Sequence, residues 1–222
     1  MLQSESTFGW LYLPIHVFLL PQLLRWLLAA LHLTVGGSGF NALYYALSLA
    51  IVLVAFSRYF TASGKAFSLH LGRGLGAIAL GFALQYTLTA LLLALLTRLF
   101  GNVPIPNNDQ VAAYAAEDAL PMLFCSLIAA PIVEETLLRG AVFSSLHRKY
   151  KFAAYLVSSV LFAAMHVWQY ADLGIATQLV AGVCYLPAAV ALAWTQQQSD
   201  SVFAPIFLHL LINLLAVLKL PL

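Results

Sequence analysis

Pro131-Ile132-Val133-Glu134-Glu135-Thr136-Leu137-Leu138-Arg139-Gly140 places two adjacent carboxylates and a guanidinium inside a long apolar run. Ionisable groups at membrane depth are costly and by default mark a functional site. On a helix, residues four apart share a face, so Glu135 and Arg139 are neighbours in the favoured order of acid before base. Glu134 lies ~100° away around the same helix. Arg139 can therefore neutralise Glu135 and leave Glu134 free to face something else, as a general base must. This reading gives Glu134 the chemistry and Glu135 a supporting role. The same three residues also fit a closed ion cluster that ties helices together.

The surrounding composition sets the medium. The chain has 222 residues, is 63% hydrophobic and only 8% charged, and has a mean hydropathy of +0.92. Soluble domains are usually ~25% charged. The expectation is an all-α, polytopic transmembrane helix bundle with a membrane-embedded polar cavity. A single integral membrane domain over 1–222 fits this length. The net charge of +2 is small and scattered, which argues against a nucleic-acid partner. Cys125 and Cys184 lie apart in apolar segments without a CxxC spacing and read as small buried hydrophobes. No Lys or Arg precedes Arg25, so the first apolar run reads as a retained span rather than a cleaved leader.

A membrane helix needs ~20 mainly apolar residues, and seven segments qualify, at roughly 11–33, 40–60, 75–99, 119–146, 152–170, 176–196 and 202–220. A further re-entrant segment near the start would bring the count to about eight and change the side of the N-terminus. Pro14, Pro21 and Arg25 interrupt the first segment, which should be kinked or partly interfacial, with Arg25 suited to a lipid phosphate. Gly101–Asn108 holds two prolines and three asparagines and reads as a loop. Asp118 followed by Pro121 reads as a helix start. No repeat is visible, and the halves carry no matching pair of Gly/Pro-broken helices, the pattern expected of a transporter.

Loop charge orients the spans. Arg58, Lys65 and Arg73 link the second and third spans, and His147-Arg148-Lys149-Tyr150-Lys151 links the fourth and fifth. Both links should be cytoplasmic. Asp109, Glu117 and Asp118 lie between the third and fourth spans and should face outward.

Two later segments carry histidines. Phe162 and His166 are four apart, as are His209 and Asn213, so each pair shares a face. Taken singly, such residues are also explained by interhelical hydrogen bonding. Depth connects them. At 1.5 Å per residue, Glu134 lies ~18 Å, His166 ~21 Å, His209 ~10 Å and Asn213 ~16 Å from the same side of the membrane. His16, His32, His70 and His147 sit near span ends or in loops and need no special explanation. Trp168, Tyr170 and Trp194 read as interfacial belt residues.

The set Glu134-Glu135-x-x-x-Arg139, Phe162-x-x-x-His166 and His209-x-x-x-Asn213, on successive apolar segments over about 119–215, resembles the CPBP family of intramembrane proteases. That family includes Rce1-type CAAX prenyl endopeptidases and bacterial Abi proteins. The resemblance implies a helical bundle with a conical, water-filled cavity open toward the cytoplasm and membrane, and hydrolysis of a peptide bond near the membrane. It implies that Glu134, assisted by His166, activates water. It implies that His209 and Asn213 stabilise the oxyanion, with Glu135, Arg139 and Phe162 in support. It favours a glutamic-type mechanism without a cofactor. Glu134, His166 and His209 would also make a His₂Glu zinc set, although no HExxH is present. A proton-coupled transporter and a non-proteolytic immunity scaffold are the readings from other classes. The expected partners are the bilayer and a membrane-associated protein or peptide substrate, such as a C-terminal tail. Modest length, short loops and the lack of a soluble domain suggest a prokaryotic cytoplasmic (inner) membrane.

Overall fold

The computed structural model describes residues 1–101, 103 and 105–219. Among them the regular elements are all helical: α1 (Gln3–Ala30), α2 (Gly37–Ala55), α3 (Ser57–Leu69), α4 (Leu71–Phe100), α5 (Pro106–Glu117), α6 (Ala119–His147), α7 (Lys151–Tyr170), α8 (Ile175–Ser199) and α9 (Phe203–Val217). Six of these, α1, α2, α4, α6, α7 and α8, are long and apolar enough to cross a membrane.

The seventh expected span is shorter than anticipated. It forms the 15-residue α9, which rises only ~22 Å, against a hydrocarbon core ~30 Å thick. Against the expected 202–220, α9 starts one residue later, after Asp200 in a left-handed conformation (φ 55°, ψ 27°) ends α8, and it stops at Val217, with Leu218 and Lys219 in a turn. Leu220, at the far end of that expected span, lies outside the described residues, as do Asn102 and Pro104 of the anticipated loop. The rest of that loop is shorter than expected, because Pro106 opens α5 from a position where its missing N–H costs nothing. The basic link after the second span is itself the helix α3. Asp118 caps α6 as anticipated, accepting from the Leu120 N–H at 3.3 Å.

α6 is the central helix. Every residue from Val133 to Phe143 is buried, so it is covered on all sides. Val133, Leu137, Leu138, Ala141 and Val142 form the core with Tyr12 and Leu13 of α1, Val52 of α2, Phe162 of α7, Leu192 of α8 and Leu208 of α9. α1 approaches α6 closely at Gly9, where an added Cβ would lie 2.2 Å from that of Ala141. Close approach through small residues is the usual route to helix packing in lipid.

Two helices widen around prolines. Pro21 and Pro131 lie well inside α1 and α6, where proline removes a backbone donor. In α1 the Leu20 N–H bonds the carbonyl of Ile15, and in α6 the Ala130 N–H bonds that of Cys125, each five residues back. In this wide register the carbonyls of His16 and Ser126 would be bonded by residues 21 and 131. Both are proline, so both carbonyls are released. The helices stay continuous. Both are widened turns, not the Gly/Pro-broken helices that the sequence reading looks for.

Candidate active site

The released carbonyls fix the walls of a cavity. Asn213 of α9 donates its amide to the Ser126 carbonyl at 2.8 Å. The Tyr44 hydroxyl of α2 donates to the His16 carbonyl at 3.0 Å. Each proline thus recruits a polar side chain from a neighbouring helix to the same space. A buried carbonyl without a donor would cost ~1–3 kcal/mol, so these contacts hold the helices in register.

The two glutamates have different surroundings. Glu135 and Arg139 are both 0% exposed. They pair through Nε to Oε2 at 3.1 Å and Nη1 to Oε1 at 3.2 Å. Arg139 also donates to the Ala189 carbonyl at 3.0 Å, and its guanidinium lies 4.7 Å from the centre of the Phe162 ring. Glu134 takes no part in this pair. Its Oε1 accepts from the Tyr45 hydroxyl at 2.8 Å. Its Oε2 has no hydrogen-bond partner and stands 4.0 Å from His166 Nε2.

The histidines are oriented by their Nδ1 atoms. His166 Nδ1 lies 2.8 Å from the Phe162 carbonyl, which can only accept. Nδ1 therefore carries the proton, and in the neutral ring the Nε2 lone pair faces Glu134. His209 Nδ1 lies 2.9 Å from Glu135 Oε1 and donates to it. The Phe162 ring packs on both imidazoles, at 4.5 Å from His166 and 5.7 Å from His209. Tyr185 stacks on the other face of His166 at 4.5 Å.

All of the sequence-singled residues Glu134, Glu135, Arg139, Phe162, His166, His209 and Asn213 thus fall in one cluster. Glu134, His166, His209 and Asn213 line a cavity of about 520 Å³. Among the described residues, no group of three His, Cys, Asp or Glu side chains stands close enough to hold a metal ion.

Several wall residues escape the sequence reading. His16, set aside there as a span-end residue, is buried, bonded to Ser48 at 3.0 Å and to the Tyr44 hydroxyl, and lines the cavity. Tyr45 is missed although it touches Glu134. Trp168 lines the cavity and packs on Phe18 at 4.9 Å, and Tyr170 donates to Gln110 at 2.5 Å, so neither serves only as a lipid belt. Tyr44 and Tyr45 follow Asn41 in a polar–aromatic cluster at the start of an apolar span, and that was the available signal.

The exposed lining residues, Arg25, Asn108, Gln169, Ala216 and Lys219, lie at the end of the bundle that carries α5. Loop charge assigns that end to the outside. A cavity open toward the cytoplasm and the loop-charge orientation are therefore incompatible in this fold.

No curated protein and no solved structure shows a match to the chain. Residues 116–215 match the family model described as type II CAAX prenyl endopeptidase Rce1-like. The matched segment runs from just before α6 to α9 and contains all three motifs, in agreement with the resemblance read from them. The chain is an integral membrane protein whose motif-bearing segment matches the Rce1-like model of type II CAAX prenyl endopeptidases.

Proposed function

We propose that the chain is a glutamic-type intramembrane endopeptidase in which Glu134 is the general base. The observation that carries this reading is the free Glu134 Oε2, aimed at His166 Nε2 across 4.0 Å. That gap is too long for a direct hydrogen bond. It is about right for one water touching both atoms at normal distances of ~2.8 Å.

Attack of that water on a peptide carbonyl forms the new C–O bond, and its proton passes to Glu134. Collapse of the tetrahedral intermediate breaks the C–N bond, and the proton goes on to the leaving amine, with His166 assisting. In this reading His209 Nε2 and the second N–H of Asn213 stabilise the developing oxyanion. Donation by His209 from both nitrogens requires its protonated form. Glu134, Glu135, Arg139 and a protonated His209 then sum to zero charge, which is what a site in low dielectric needs. Tyr45 holds Glu134 in place, and Phe162 sets both imidazole planes. The substrate class supported is a membrane-associated protein or peptide, cut near the membrane, for instance at a C-terminal tail.

The test is hydrolysis of a membrane-anchored peptide by purified protein in liposomes. Glu134→Gln should lower turnover ~10²–10⁴-fold, the usual contribution of a general base, while unfolding at the wild-type temperature. Turnover at the wild-type rate in Glu134→Gln ends the reading. Chelator treatment should leave the wild-type rate unchanged. Loss of activity on chelation and its return with zinc would replace the glutamic mechanism by a metal one.

A further inference from the structure

The ends of the helices collect at two rims, and the contacts fix which belongs to which. At one rim, Trp10 donates to Ser145 at 3.1 Å, the Tyr59 N–H to Glu5 at 2.9 Å, the Val202 N–H to Ser63 at 2.8 Å, and Arg73 to the Gln198 carbonyl. At the other, Ser38 donates to the Asp118 carbonyl at 2.8 Å, and Tyr185 to Asn108 at 3.2 Å.

Charge divides unevenly between the rims. The first holds Arg58, Lys65, Arg73, Arg148, Lys149 and Lys151, six of the ten Lys and Arg residues. Its acids are Asp200 and the buried Glu5. The second holds Arg25, Arg98 and Lys219 against Asp109, Glu117, Asp118 and Asp172. Clustered Lys and Arg in short loops mark the cytoplasmic side.

The cavity belongs to the second half of the bundle. Its walls come from 16–25 of α1, 40–45 of α2, 107–114 of α5, 122–134 of α6, 165–169 of α7, Tyr185 of α8 and 209–219. Toward the basic rim α6 continues through Leu137, Leu138, Ala141 and Val142, each 0% exposed, so the floor beneath Glu134 is packed side chains. Among the described residues, the cavity at Glu134 is closed toward the basic rim and extends into the acidic half.

We propose that the catalytic cavity opens to the non-cytoplasmic side, and that its substrate is a peptide segment presented there. That segment is the non-cytoplasmic juxtamembrane part of an anchored chain, or a peptide already carried across the membrane. The substrate statement rests on the endopeptidase reading above; the side of opening does not.

Substituted-cysteine labelling separates the two. Asp109→Cys and Lys149→Cys, both at exposed positions, are made in the otherwise unchanged chain, whose buried Cys125 and half-buried Cys184 set the background labelling. Intact cells are treated with a membrane-impermeant maleimide. Asp109→Cys should label before lysis, and Lys149→Cys only after it. The reverse pattern, or labelling of both before lysis, overturns the proposed side of opening. Loss of labelling order would leave the Glu134→Gln result untouched, and an active Glu134→Gln variant would leave the labelling untouched.

Discussion

At the scale of single residues, 100° of helix rotation decides which glutamate is sequestered. Glu135 sits one turn from Arg139 and is consumed by it; Glu134, one position earlier, faces the cavity with one oxygen held and one free. This division is legible in the sequence because it depends only on spacing within one helix. What holds Glu134 is not legible, because Tyr45 reaches it from a helix 89 positions away in the chain. Tyr45→Phe should leave Oε1 without its donor and let the carboxylate rotate. A hydrogen bond to a charged group contributes ~1.5–3 kcal/mol, so turnover should fall ~10–100-fold with KM little changed. Steady-state kinetics on the liposome substrate check this, and an unchanged turnover would show that Tyr45 plays no part in positioning.

At the scale of elements, the three motif-bearing helices could be found from apolar runs and four-residue spacings, and α6, α7 and α9 carry the motifs expected of them. The length of α9 could not. It stops at Val217, with Leu218 and Lys219 in a turn, and hydropathy alone does not register that end. Nor did apolar runs reveal the widened turns, although each leaves a mark: His16 and Ser126 both stand five residues before a proline. The device makes a coupling testable. Asn213→Leu orphans the Ser126 carbonyl and should destabilise the protein by ~1–3 kcal/mol. Pro131→Ala restores an N–H in the position to bond that carbonyl. The cost of Asn213→Leu should therefore shrink in the Pro131→Ala background, measured as a double-mutant cycle by chemical unfolding in detergent. Equal costs in both backgrounds would mean that the proline does not release the carbonyl.

At the scale of the whole molecule, the loops carry the information on orientation, and the bundle carries the information on access; the two meet only in the folded chain. From sequence, the basic links fix a cytoplasmic rim and the resemblance carried by the motifs implies a cavity open toward it; the folded chain turns the cavity toward the other rim. That follows from the packing of Leu137 to Val142 beneath Glu134 and from the placing of α5 over the other end. Orientation and chemistry should then be separable. Arg148, Lys149 and Lys151 lie in one short exposed link and touch neither the cavity nor the Glu135–Arg139 pair. Replacing all three by Gln removes half of the basic charge that selects the cytoplasmic rim, leaving Arg58, Lys65 and Arg73. In cells, the triple variant should insert in both orientations, so that an Asp109→Cys reporter is only partly labelled before lysis. In detergent, where both rims meet the same solvent, the purified variant should cleave at the wild-type rate. Uniform labelling in cells would mean that the remaining basic residues suffice to orient the chain. A fall in detergent activity would mean that the link supports the site itself, against the separation of rim and cavity seen in the fold.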